Sequence, residues 1–176
     1  MKKISLIALT LTVVFGCAEN TVTKDKSVAA IANASSTNST ISFKVNGETV
    51  RTSGWNISRL TWKAGEKEWL NITTNMHEDK RTIMANLDGA VPGTYALVEN
   101  AGMKSSHGDY KPDYTGDMMN SYSFVNGSFI LTEVDTVHNK ISGTFSGTVK
   151  NLKGEVLEIT EGKIVKAEMK KEVTHY

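Results

Sequence analysis

The chain has 176 residues, with 20 Lys and Arg against 19 Asp and Glu, a formal net charge of +1. So even a balance gives no electrostatic basis for gripping nucleic acid or adsorbing to an anionic membrane surface. With a single cysteine an internal disulfide is excluded, so burial and strand pairing must hold the domain together.

Lys2 and Lys3 give a basic start, and residues 4–15 form an apolar run. That run is shorter than the roughly twenty residues a spanning helix takes, so it reads as the core of an export signal. Val14-Phe15-Gly16-Cys17 places a small residue directly before the cysteine and resembles the lipobox of bacterial lipoproteins. The resemblance implies a signal peptide over 1–16 and a diacylglyceryl thioether on Cys17 with an acylated amino group, palmitate among its chains. It implies lipid anchoring in the cell envelope, in the outer membrane, with periplasmic and outward-facing placements both open. A secretory signal without lipid, leaving Cys17 incidental, is the competing reading.

Residues 17–40, rich in Ala, Ser, Thr and Asn, read as a lipidated start and a flexible tether. From residue 41 the apolar positions alternate. Ile41, Phe43 and Val45 share one face, and Asn46-Gly47 is a two-residue hairpin signal because both positions tolerate positive φ. Residues 57–63 set Ser58, Leu60 and Trp62 on the expected apolar face against Arg59, Thr61 and Lys63. Further strands are expected over 68–74, 81–87 and 94–98, with Pro92 interrupting pairing. Strands over 122–125 and 128–134 flank a second Asn-Gly pair, Asn126-Gly127. The alternation is clearest over 140–151, where glycine occurs twice on the apolar face, at Gly143 and Gly147. Another backbone or a large ring is expected close by. A last long strand over 155–169 is interrupted at Gly162, a candidate bulge. Residues 170–176 read as a polar tail, so the β domain is placed at 41–169.

Eight to ten short strands without a long helix predict an all-β fold, an antiparallel meander closed into a lipocalin-like barrel or folded into a β-sandwich. Pro92-Gly93-Thr94-Tyr95 and the stretches 127–135, 141–147 and 158–164 are similar to a family of Gram-negative envelope lipoproteins carrying a domain of unknown function. The resemblance covers 41–169 and implies a lipocalin-like or β-barrel fold. It brings no catalytic residue with it.

Residues 100–121 break the alternation and are the candidate functional loop, since structureless connections of about twenty residues are uncommon in compact domains. Tyr110, Tyr114 and the following Tyr122, with His107, form the candidate ligand site, because tyrosines give wide contact area at low entropic cost. A solvated loop whose tyrosines cover the barrel end is the plainer alternative. Asp109, Asp113 and Asp117 recur every fourth residue but match no calcium-loop spacing. His77, His107, His138 and His175 show no ligand spacing, so neither metal nor cofactor is expected. A hydrolase would draw on Ser105 or Ser106 with His107 and Asp109, groups too close in sequence to converge readily. Trp55, Trp62 and Trp69, seven residues apart, read as barrel packing or as a stacking platform. Three functions follow in order: a non-catalytic binding module for a small molecule, glycan or envelope protein; a periplasmic inhibitor or immunity lipoprotein; and a hydrolase. Nucleic acid is not an expected partner.

Overall fold

The computed structural model describes residues 39–61, 67–74, 80–99, 105–116 and 118–173. Among the described residues eleven strands form: β1 Thr40–Val45, β2 Glu48–Arg51, β3 Trp55–Thr61, β4 Trp69–Thr74, β5 Thr82–Leu87, β6 Gly93–Val98, β7 His107–Lys111, β8 Tyr122–Asp135, β9 Lys140–Asn151, β10 Val156–Glu168 and β11 Lys170–Val173. The fold is all-β as the alternation requires, with a single 3₁₀ turn among the described residues, at Met118–Asn120. All strands belong to one curled sheet in the order β11-β3-β4-β5-β7-β8-β9-β10-β1-β2, with β6 joined to β8 off this path. Curling rather than stacking makes the architecture barrel-like.

Both ends of the path are tied back through the chain. β11 follows β10 after Met169 alone and pairs in parallel with β3, while β2 leads into β3 and pairs with β1. The sheet is therefore mixed, with one parallel pair in an otherwise antiparallel meander. The first hairpin turns at Asn46 and Gly47, with φ of 47° and 85°, between the paired residues Val45 and Glu48. Asn46 Oδ1 then accepts the Glu158 N–H at 2.8 Å, pinning this turn to β10.

The interior is filled. The Phe129 and Phe145 rings stack with centroids 4.7 Å apart, Phe43 lies 5.8 Å from Phe145, and Tyr110 and Tyr122 continue the run at 6.1 Å from each other. Each fully buried ring contributes about 1.5–3 kcal/mol by leaving water. At Gly147 a Cβ would lie 2.3 Å from the Asn126 carbonyl oxygen and 2.9 Å from the Phe124 ring, which is the close backbone and ring expected there. The expected bulge at Gly162 is also present, as a register shift between Ile159 and Gly162 with Glu161 at φ 50°.

Four sequence expectations change. β8 runs unbroken through Asn126-Gly127, which lies within the strand and not at a turn. β7 forms inside the stretch read as a loop, and residues 170–173 of the expected tail become β11 because the edge of β3 offers them a partner. The faces of β3 are reversed: pairing of Ile57 with Ile72 and of Arg59 with Leu70 puts Ile57 and Arg59 on the buried side. A strand slipped by one residue turns every side chain over, and Ile57 sets the parity. Ser58, on the outer side, is nonetheless covered, donating to Glu172 Oε1 on β11 at 2.8 Å.

Candidate functional site

β6 and β7 lie one after the other along the same edge of β8. Gly93–Val98 pairs with residues 131–126, and Asp109 and Tyr110 pair with Ser123 and Tyr122. Between these two pairings, among the described residues, Phe124 and Val125 have no strand partner on that edge. On the opposite edge Val125 is the extra residue of a bulge, since Phe124 pairs with Val149 and Asn126 with Thr148. The interrupted ladder leaves an open notch of about 470 Å³ in the outer wall, floored by Phe124 and Gly108. Its size falls within the roughly 300–1,000 Å³ of typical ligand sites. Val98 and the 80%-exposed Leu152 give it an apolar rim, while Glu99, Asp109 and Lys150 supply charge.

Of the candidate ligand residues, only His107 lines this notch. Tyr110 and Tyr122 are 3% and 9% exposed; the Tyr110 ring meets Phe43 edge to face at 6.4 Å and the tilted Tyr122 ring at 6.1 Å. They belong to the core because β7 and the start of β8 pair there and direct alternate side chains inward. Tyr114 is 38% exposed, and its N–H donates to the Lys80 carbonyl at 3.0 Å. The Tyr122 hydroxyl donates to Glu155 Oε2 at 2.8 Å, and Asn151 Nδ2 donates to the same oxygen at 2.7 Å. The Tyr122 bond, followed by that of Asn151, lowers the Glu155 carboxyl below its ordinary value. In return the Glu155 bond raises the Tyr122 hydroxyl.

The groups of a hydrolytic triad point to separate partners. Ser106 Oγ donates to Asp88 Oδ1 at 2.9 Å, His107 Nδ1 faces the Ser105 carbonyl at 2.9 Å, and Asp109 accepts from Ser123 Oγ at 2.7 Å. Asp113 closes a local turn with the N–H and hydroxyl of Thr115, which lower its carboxyl, and meets Lys80 at 3.3 Å. His138 pairs with Asp135 at 2.6 Å in the β8–β9 turn. Among the described residues no three His, Cys, Asp or Glu side chains stand together as a metal site. Trp55 packs against the core, and Trp69 lies half-buried on the outer face. Cys17, Trp62, His77, Asp117 and His175 fall outside the described residues.

Sequence reasoning missed Phe124, Val98, Lys150 and Leu152. One signal could have found the notch: an Asn-Gly pair within a long alternating run, which marks a bulge as well as a turn. Fold and site together define an all-β, barrel-like protein whose described interior is packed and whose concavity lies in its outer wall. No family model, curated protein or solved structure matches the chain.

Proposed function

We propose that this protein is a non-catalytic binding module, anchored in the cell envelope through lipid on Cys17, that holds its ligand in the notch between β6 and β7. The observation that carries the reading is the interrupted edge of β8, where an apolar floor, an exposed rim and strand backbone without a strand partner among the described residues meet in one open cavity. A packed interior supports a ligand held on the wall in place of the internal chamber of a carrier barrel. The separate partners of Ser106, His107 and Asp109 support binding over hydrolysis.

Native mass spectrometry of the full chain purified from its own host tests this. An added small mass or a co-purifying protein is expected, and the Val98→Asp, Leu152→Asp double variant should lose it. Both rim residues are exposed, so that variant should keep the parent stability within about 0.5 kcal/mol for each change. A bare mass from the parent chain, or a companion retained by the double variant, would overturn the notch as the site.

A further inference from the structure

On the outer wall beside the notch, four side chains form one row across four strands. Ser58 on β3 stands opposite Asn71 on β4, Asn71 opposite Asn86 on β5, and Asn86 opposite His107 on β7. Three strand spacings make the row about 14 Å long. It is already chained: Asn71 Nδ2 donates to Asn86 Oδ1 at 2.8 Å, and Asn86 Nδ2 lies 3.2 Å from His107 Nε2. The first bond fixes which end of the Asn86 amide faces His107. The Nε2 atom is therefore the acceptor, and Nδ1–H donates to the Ser105 carbonyl. Each asparagine keeps a second amide N–H, and Asn71 also keeps its carbonyl oxygen.

The row has three properties that select a ligand. Asn71, Asn86 and His107 are planar and half-buried, so they offer directional hydrogen bonds without a large desolvation cost, while Ser58 closes the row, buried and bonded to Glu172 of β11. Leu60 and Trp69 sit opposite each other on the same face, one pair further along β3 and β4, and give the row an apolar flank. The nearby Lys67, 5.9 Å from the Trp69 ring centroid, is neutralised by Asp88 at 3.0 Å. At the other end His107 opens into the notch, where Glu99 and Asp109 outnumber Lys150 by two charges to one and disfavour an acidic polymer.

We infer that this row and the notch form a track for a linear, neutral polysaccharide, running across the strands from Asn71 to Phe124. The inference rests on the notch being a binding site and names what occupies it. Sugar hydroxyls meet the amide groups, the CH faces of the sugar rings meet Leu60 and Trp69, and the strand spacing is close to the length of one pyranose unit.

The test is calorimetric titration of the full chain with chitohexaose and cellohexaose, their disaccharides, and oligogalacturonate as the acidic counterpart. A neutral hexasaccharide should bind more tightly than its disaccharide, and oligogalacturonate should bind weakly or not at all. Asn71→Asp, which keeps the shape and adds a charge, should lower affinity about tenfold or more, and Trp69→Ala should do the same while circular dichroism stays unchanged. If Asn71→Asp fails to fold, Asn71→Ser carries the same expectation. Hexasaccharide binding lost in the Val98→Asp, Leu152→Asp variant but kept in the Asn71 and Trp69 variants would overturn the track and leave the notch standing. No binding by either neutral hexasaccharide, or tighter binding of oligogalacturonate, would overturn the ligand class. The native mass measurement decides the notch itself.

Discussion

Replacing Gly147 by alanine would place a methyl group 2.3 Å from the Asn126 carbonyl oxygen, 2.7 Å from Gly127 Cα and 2.9 Å from Phe124 Cδ1. Ordinary contact begins at 3.4 Å, so the nearest obstacle would have to retreat by about 1 Å. Two of the three obstacles are backbone of β8, which pairs with β9 from Tyr122 to Asp135 and so cannot yield at one residue alone. Overpacking of this kind costs about 1–3 kcal/mol, occasionally more. Alanine recovers roughly 0.5–1 kcal/mol of the conformational penalty of a strand glycine, leaving a net loss of about 1–2 kcal/mol. For a domain of this size that lowers the melting midpoint by about 4–8 °C. Urea and thermal unfolding measure it, with Ser146→Ala on the exposed face of the same strand as control, expected within about 0.5 kcal/mol of the parent. Since Phe124 floors the notch, Gly147→Ala should also weaken ligand capture. Equal midpoints for the two variants would refute the close-packing argument.

Phe129→Ala removes a fully buried ring stacked on Phe145 and should cost about 3–5 kcal/mol by urea denaturation; a loss under about 1 kcal/mol would mean the interior is not closely packed. The depressed Glu155 carboxyl contributes stability that is present above the ordinary glutamate range and lost as pH falls through its lower folded value. Urea midpoints followed into acid should therefore fall less steeply for Glu155→Gln than for the parent, and identical acid limbs would remove Glu155 from the account. Arg59 is nine-tenths buried and, among the described residues, its Nε is unbonded and its guanidinium has one ion pair, to Glu68 at 3.3 Å, so Arg59→Met should change stability by no more than about 1 kcal/mol. A loss of several kcal/mol would show the ion pair to be a main support of that end of the sheet. Ending the chain at Met169 deletes β11, opens the edge of β3 and leaves Ser58 without Glu172; light scattering should then detect concentration-dependent association, and a monodisperse product would count against the edge argument.

Asn46-Gly47 and Asn126-Gly127 show how far the residues could be read unaided. Both pairs lie between alternating runs, and only the first turns the chain. The second is held in β8 because Gly147, also without a side chain, pairs with Gly127 and the Phe124 ring covers both. β7 was hidden because one of its two inward positions is Gly108, where Met84 O and the Phe124 ring leave no room for a Cβ, so the apolar alternation falls silent. With β7 unseen, Tyr110 looked like a loop side chain and Tyr122 like its neighbour in a ligand site, when both are core. The tail was misread for the opposite reason: Lys170, Lys171 and Glu172 carry no buried face of their own, and β3 recruits them through backbone pairing.

By itself the sequence determined the all-β class, the first hairpin, the bulge at Gly162 and the tight packing at Gly147, because period-two burial and turn chemistry are properties of chain neighbours. The reading of residues 1–16 as an export signal and of Cys17 as a lipid site rests on the sequence alone. The tertiary structure decided the parallel β11–β3 pair, the parity of β3, the ring-filled interior, and the two strands that share one edge of β8 and leave the notch between them. Each of these joins residues far apart in the chain, and no local period records which distant edge a strand will find.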